Sequence, residues 1–140
     1  MNTPANRVLS AALGLSVVAL GAYFFGVKQR RQVMYCLEQP GLVWNGLFPV
    51  PAGMTQECPQ SASYRQEVRE GLTRVEQYRL TGWQPLALME PLKRAGYVLL
   101  EDELRGRNNY SVFLGRSVPA ELFYTAVQEG KDTVITLSGK

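Results

Sequence analysis

The feature that most constrains this chain is an uncharged, apolar segment near its N-terminus. Residues 8–27, VLSAALGLSVVALGAYFFGV, contain no acidic or basic side chain. A helix that rises about 1.5 Å per residue over this length matches the roughly 30 Å hydrocarbon thickness of a bilayer. A cleaved signal peptide is the alternative, but the run exceeds a usual h-region and lacks a clear cleavage site. We therefore predict a retained transmembrane helix over residues 8–27, preceded by a short tail, residues 1–7.

Two sets of residues in and after this segment are candidate membrane contacts. Aromatic rings and long cationic side chains are typical of the membrane–water interface, and small residues at helical spacing let spans pack closely. The predicted interface residues are Tyr23, Phe24, Phe25, Lys28, Arg30 and Arg31. The predicted helix-packing residues are Gly14, Gly21, Ala22 and Gly26. The expected partners are therefore the lipid bilayer and another membrane or envelope protein, or a second copy through the span.

The basic balance of the chain belongs to the membrane flanks. The net charge is +3, and the first 31 residues hold four basic and no acidic side chains, which leaves −1 for residues 32–140. A nucleic-acid-binding domain would carry its basic groups on the folded domain. The phosphate-binding patterns GxGxxG and GxxxxGK[ST] are also absent from the sequence. We therefore predict neither a nucleic acid nor a nucleotide as a partner.

Two signals disagree on the side of the membrane that the domain occupies. More cations follow the span than precede it, which favours a cytoplasmic domain. Cys36 and Cys58 are the only cysteines, and a disulfide between them would stabilise the fold by about 3 kcal/mol and indicate an oxidising compartment. Two unrelated thiols are the alternative. Because the charge difference is small, we predict a single-pass protein with a cytoplasmic N-terminus and a periplasmic or extracellular domain.

The residues that most enzyme mechanisms require are missing. The chain contains no histidine, which excludes Ser-His-Asp and Cys-His relays and histidine-ligated zinc, and two cysteines cannot form a four-sulfur zinc site. The one acidic cluster, Glu101-Asp102-Glu103, is interpreted as a solvated strand end that discourages edge pairing. We predict that the chain is not an enzyme and has neither a metal site nor a cofactor.

Residues 28–60 are predicted to be a helical extension of the span followed by a structured, Pro/Gly-rich linker. The apolar side chains of this linker should pack on the domain, lie on the membrane or contact a partner, because they are too apolar to stay in water. The candidate partner-binding residues are Leu42, Val43, Trp44, Leu47 and Phe48.

Residues 61–140 are predicted to form an α+β domain. Apolar spacing of three and four residues predicts a helix over residues 62–80, with Gly71 in its interior, and a second helix from Pro85 to a C-terminal stop at Gly96. Four strands with short turns follow, at residues 97–104, 110–115, 121–130 and 133–139. Alternation places Val98, Leu100 and Leu104 on one face, and Thr133, Ile135 and Leu137 on one face. We therefore expect a two-layer fold in which two helices cover one face of a four-stranded antiparallel meander.

Two further groups of side chains have both a structural and a functional interpretation. The strand aromatics are expected in the sheet core rather than in a binding face, and the cations around the first strand are expected to be ordinary helix-end and turn residues. The aromatics are Tyr97, Tyr110, Phe113, Phe123 and Tyr124, and the cations are Lys93, Arg94, Arg105 and Arg107.

The sequence thus predicts a membrane-anchored, non-catalytic interaction or assembly subunit of a membrane or cell-envelope complex. The alternative is a tethered sensor or carrier that binds a small ligand, a peptide or a glycan between the helices and the aromatic strands. A large apolar pocket with convergent polar groups would favour that alternative.

Overall fold

A computed structural model of the chain describes residues 34–116 and 121–140. This part of the chain is mostly β, with nine strands and two short helices. The strands are β1 (Leu42–Val43), β2 (Phe48–Pro49), β3 (Thr55–Glu57), β4 (Arg74–Thr81), β5 (Val98–Leu99), β6 (Leu104–Arg105), β7 (Asn109–Gly115), β8 (Glu121–Glu129) and β9 (Asp132–Gly139). The helices are α1 (Ala62–Arg69) and α2 (Met89–Arg94).

Seven of these strands form one antiparallel sheet. Its order is β3-β4-β9-β8-β7-β5, and β6 also pairs with β7. Val98 of β5 lies opposite Gly115, and Leu104 of β6 lies opposite Ser111. The strands β5 and β6 therefore share one edge of the sheet, separated by the acidic segment 101–103. A separate two-stranded ribbon is formed by β1 and β2.

The predicted two-layer α+β fold with a four-stranded sheet is wrong, chiefly because the first helix is short. This helix ends at Arg69, and the φ of 68° at Gly71 is a left-handed conformation that glycine adopts readily. The N–H of Gly71 donates to the carbonyl of Val68 at 3.2 Å, and the N–H of Leu72 donates to the carbonyl of Glu67 at 2.9 Å. These two bonds form a Schellman motif, which closes the helix C-terminus.

The remainder of the predicted helix is the strand β4. All eight of its residues pair with β9, from Arg74 opposite Gly139 to Thr81 opposite Asp132. Its buried side chains alternate, because Glu76, Tyr78 and Leu80 point to one face and Val75 points to the other. The middle of this strand, residues 77–79, also pairs with β3 and therefore has neighbours on both sides.

The second helix is also shorter than predicted, but its end is confirmed. Pro91 lies in its first turn, where a missing N–H breaks no intrahelical bond. Gly96 is the C′ residue, with φ of 99°. Its N–H donates to the carbonyl of Lys93 at 3.0 Å, and the N–H of Tyr97 donates to that of Leu92 at 3.1 Å. This helix therefore leads directly into β5.

The two helices lie on opposite faces of the sheet, contrary to the prediction that both cover one face. The main core lies on the face covered by α2 and the β1–β2 ribbon, and the sheet contributes three tyrosines to it. Its fully buried large side chains include Trp44, Tyr78, Leu88, Leu92, Tyr97, Leu114, Leu122, Tyr124, Ile135 and Leu137. On the other face, α1 packs through Tyr64 and Val68 against Val75, Cys36 and Leu37.

The predicted membrane span, residues 8–27, lies outside the described residues. Within residues 34–116 and 121–140, no helix is long and apolar enough to cross a bilayer. The tail at residues 1–7 and the predicted helical extension up to residue 33 also lie outside the described part of the chain.

Candidate interaction surface

The second face of the sheet is covered at one end and open at the other. The helix α1 covers the region of Val75, whereas the β5–β8 region of this face carries exposed apolar side chains. The most exposed of them is Leu104, at 71% of its full accessible surface. We name this surface the open face, and it consists of Leu72, Val98, Leu100, Leu104, Phe113, Phe123 and Val127.

Two stacked phenylalanines form the centre of the open face. Phe113 of β7 and Phe123 of β8 are direct cross-strand partners. Their ring centroids are 4.5 Å apart, and the ring planes meet at 27°. The neighbours of each on its strand point into the core, so alternation places both rings on the opposite, open face. An offset-stacked pair of this kind presents a flat, rigid apolar platform.

Two shallow grooves meet at this aromatic pair, and both are open to solvent. The larger has a volume of about 830 Å³ and is lined by Leu99, Leu100, Glu101, Asp102, Leu104, Ser111, Val112, Phe113 and Phe123. The second has a volume of about 550 Å³ and is lined by Leu72, Thr73, Phe113, Glu121, Phe123, Ser138, Gly139 and Lys140. Apolar side chains therefore form the floor of both grooves, and carboxylates lie at their margins.

The acidic cluster beside the larger groove divides into two parts. Glu103 is bound by two neighbouring side chains. Its carboxylate accepts a hydrogen bond of 2.7 Å from the hydroxyl of Tyr110 and one of 2.9 Å from Arg105. The Tyr110 bond first, and Arg105 second, lower the pKa of Glu103 below its usual value. Glu101 and Asp102 are exposed and form no ion pair with any described residue. Two unpaired carboxylates therefore line the larger groove.

A buried carboxylate, that of Glu76 on β4, lies on the core face of the sheet. Glu76 is 2% exposed, and it accepts hydrogen bonds from the backbone N–H of Trp44 at 2.6 Å and from Arg74 at 2.7 Å. The hydroxyl of Tyr78 also donates to Glu76, and burial first, followed by this carboxylate, raises the pKa of Tyr78. Arg74 pairs in turn with Glu38 at 3.1 Å.

The prediction of a helix over residues 62–80 did not identify this network. The signal that could have identified it is the alternation in residues 74–81, once Gly71 is taken as a helix stop. Because both oxygens of the carboxylate accept hydrogen bonds, the burial of its charge is compensated.

The predicted partner-binding residues of the linker belong largely to the core. Val43 and Trp44 are fully buried, and Leu47 and Phe48 are partly buried against the same core. Leu42 is partly buried in β1. The structure therefore shows that Val43 and Trp44 pack on the domain, which is one of the three alternatives given for these residues. Most of the large exposed apolar side chains among the described residues lie on the open face instead.

The predicted disulfide between Cys36 and Cys58 is confirmed. The two Cα atoms are 5.7 Å apart, and the bond spans 22 residues. It joins the first described residues to the segment that follows β3. The hydroxyl of Tyr35 adds a hydrogen bond of 2.6 Å to the carbonyl of Pro59.

The strand aromatics fall into two groups. Tyr97, Tyr110 and Tyr124 are buried in the core, where the prediction placed all five. Phe113 and Phe123 are on the open face. Among the cations, Arg105 is engaged by Glu103, and Lys93 lies 3.5 Å from Glu90. Arg94 and Arg107 are exposed.

The candidate membrane-contact residues lie outside the described residues. They are the interface set Tyr23, Phe24, Phe25, Lys28, Arg30 and Arg31, and the packing set Gly14, Gly21, Ala22 and Gly26.

Among residues 34–116 and 121–140, no three His, Cys, Asp or Glu side chains are grouped so that they could hold a metal ion. Comparison of the chain with protein-family models, curated proteins and solved structures finds no match.

Proposed function

We propose that this chain is a membrane-anchored, non-catalytic interaction subunit whose open face binds another membrane or envelope protein. The observation that carries the proposal is the stacked pair Phe113–Phe123, surrounded by exposed leucines on the uncovered end of the sheet. Contiguous apolar surface of this kind is typical of protein–protein contact sites, because leaving it in water is unfavourable.

The charges beside the open face define the chemistry of the partner. Glu101, Asp102 and Glu121 lie at the margins of the two grooves. A surface with apolar side chains flanked by lysine or arginine would fill the grooves and neutralise these carboxylates. An anionic membrane surface would be repelled by them, so a polypeptide is the occupant that the charges favour.

The alternative function, a sensor or carrier with a ligand between the helices and the aromatic strands, has less support. That space is filled by protein, since Tyr110 and Tyr124 are at most 3% exposed and pack in one core with Leu88 and Leu92. The hydroxyl of Tyr124 is also occupied, since it donates to the carbonyl of Pro85 at 2.7 Å. The face that remains accessible is broad and shallow, which suits a partner surface better than a small molecule.

The proposed location is a membrane-bound domain on the extracytoplasmic side. The apolar segment at residues 8–27 supports the anchor, and the Cys36–Cys58 disulfide supports an oxidising compartment. Labelling of intact cells with a membrane-impermeant thiol reagent tests the location. We expect labelling only after an impermeant reductant is added, whereas thiols that react only after lysis would contradict the extracytoplasmic side.

The interaction is tested with variants at the two ends of the open face. Leu104→Arg and Leu72→Arg each place a cation where a basic partner would bind, and Leu86→Arg changes a leucine of 40% exposure that lies outside the open face. The full chain is purified in mild detergent with chemical cross-linking. We expect one stoichiometric membrane protein with the wild type and with Leu86→Arg, and its loss with the other two variants. Retention of that protein by Leu104→Arg and Leu72→Arg would refute the proposed surface.

A further inference from the structure

The two edges of the seven-stranded sheet differ in how they are covered. At the β3 edge, the side chain of Gln56 accepts a hydrogen bond from the N–H of Gly41 at 2.6 Å and donates one to the carbonyl of Leu42 at 2.8 Å. The Cys36–Cys58 disulfide holds a further segment beside this edge. At the other edge, both residues of β5 are exposed, and no described strand lies beyond it.

The backbone of β5 has hydrogen-bonding groups that point out of the sheet. The N–H of Leu100 donates to the carbonyl of Phe113 at 2.9 Å, so Leu100 and Phe113 form a hydrogen-bonded pair of the β5–β7 ladder. In an antiparallel ladder such pairs alternate with pairs whose backbone groups point away. The N–H and carbonyl of Leu99 therefore face outward. An unpaired edge of this kind is a template for another strand.

The side chains along this edge have a particular order. Val98, Leu99 and Leu100 form an apolar centre, and all three are exposed. The end of β5 at Val98 is the basic end, formed by Arg116, whose guanidinium is 5.7 Å from the ring centroid of Tyr97. After the apolar centre lies an acidic end, formed by the exposed residues Glu101 and Asp102.

We infer that β5 pairs antiparallel with β5 of a second copy of this chain, about a two-fold axis at Leu99. In this register Leu99 lies opposite Leu99 of the other copy, Val98 lies opposite Leu100, and Tyr97 lies opposite Glu101. Three apolar cross-strand pairs form at the centre. The basic end of each copy then lies against the acidic end of the other, so the edge is complementary to itself, as a two-fold interface requires.

The order of charges is what selects a second copy among all possible strands. Any strand could bond to the outward backbone groups of Leu99. A copy of this chain also supplies Arg116 beside the acidic end formed by Glu101 and Asp102, and it does so twice in one interface. A tether at residues 8–27 would assist the pairing, because confinement to one membrane raises the effective concentration of the copies.

The pairing also extends the open face, although it does not depend on the partner proposed for that face. The two-fold axis is perpendicular to the sheet, so the side chains of Val98 and Leu100 from both copies lie on the same side. The two open faces become one continuous apolar surface.

Cross-linking tests the register in the full chain, held in mild detergent. In Leu99→Cys the two introduced thiols would lie on directly opposed residues, about 5.5 Å apart at Cα, which suits a disulfide. We expect a covalent dimer on mild oxidation. Leu104→Cys is the control, since residue 104 is more exposed but lies five residues from the two-fold axis, so its two copies would not be opposed. Equal dimer formation by Leu99→Cys and Leu104→Cys would overturn the inference.

A charge exchange tests the same pairing without new cysteines. One variant carries Arg116→Glu, and the other carries Glu101→Arg. Each contact occurs twice, so we expect each variant alone to dimerise about tenfold more weakly than the wild type by analytical ultracentrifugation. The mixture should regain wild-type affinity as a heterodimer. The inference would be overturned if the mixture failed to regain this affinity while circular dichroism showed both variants to be folded. A wild type that stays monomeric would also overturn it.

Discussion

The carboxylate of Glu76 accepts a hydrogen bond of 2.6 Å from the backbone N–H of Trp44. This bond joins the turn after β1 to the centre of the sheet, across 32 residues of sequence. The turn is strained, because Trp44 and Asn45 have φ angles of 37° and 56°. The hydrogen bond compensates for that strain and keeps the largest side chain of the core in place.

Replacement of Glu76 should therefore destabilise the domain strongly. In Glu76→Ala, the guanidinium of Arg74 and the N–H of Trp44 lose a buried acceptor, and we expect a loss of about 3 kcal/mol in the free energy of unfolding. Urea denaturation followed by tryptophan fluorescence measures it. Glu67→Ala, at an exposed position of α1, should change stability by less than about 0.5 kcal/mol. Equal stability of the two variants would contradict the role assigned to Glu76.

Reduction of the Cys36–Cys58 bond should also lower stability. The closed loop spans 22 residues, so we expect a loss of about 3 kcal/mol from the gain in freedom of the unfolded chain. The urea midpoint of the wild type, compared with and without reductant, measures the effect. The double variant Cys36→Ser/Cys58→Ser should match the reduced wild type and be insensitive to reductant. A wild type that is indifferent to reductant would argue against the bond.

Two glycines should respond to alanine for different reasons. At Gly71 a Cβ would meet nothing within 4 Å, so Gly71→Ala should lose only about 1 kcal/mol, from the left-handed backbone. At Gly139 a Cβ would lie 2.7 Å from the carbonyl oxygen of Glu121 and 3.3 Å from the Trp44 ring. Gly139→Ala should therefore be the more destabilising variant in thermal unfolding. The reverse order would contradict the close approach of β8 and β9 at this position.

The pairing of Glu103 with Tyr110 predicts a dependence of stability on acidic pH. The pKa of Glu103 is lower in the folded state than its usual value of 4.5, owing first to the Tyr110 hydroxyl and second to Arg105. Its contribution to stability is therefore complete above that usual value and is lost as the pH falls through the lowered pKa. Glu103→Gln should remove this contribution and make stability less dependent on pH below about 4.5.

Urea denaturation at a series of acidic pH values measures this effect, with Glu101→Gln as the matched control. Glu101 is exposed and makes no bond to Tyr110, so its variant should keep the wild-type profile. Identical profiles for the Glu103 variant and the wild type would contradict the assignment.

The part of the fold that could be predicted is the part governed by local pattern. The hairpins from β7 to β9 were predicted because apolar residues alternate between short turns, and the helix stop at Gly96 followed from the glycine itself. The strand β4 was missed because Val75 continues the three- and four-residue spacing of Tyr64, Val68 and Leu72. Only pairing with β9, about 60 residues later in the chain, determines that this segment is extended.

The candidate surface was predictable only in part, for a related reason. Alternation correctly placed Val98, Leu100 and Leu104 on one face, but a strand pattern does not specify which face the rest of the chain covers. The helix α1 ends too early to reach β7 and β8, so these leucines remain exposed. The hydrogen bonds of Glu76 could not be predicted, because its donors Trp44, Arg74 and Tyr78 converge only in the folded domain.

The position of the disulfide has a mechanical consequence. A pull on the chain from the N-terminal side reaches the domain first at Cys36, and the covalent bond passes that load to Cys58 and the neighbouring strand β3. The load thus enters the sheet at one margin, and four strands separate that margin from β5. Tension between an anchored N-terminus and the domain would therefore be borne by β3 and β4, while β5 and the stacked phenylalanines keep their shape.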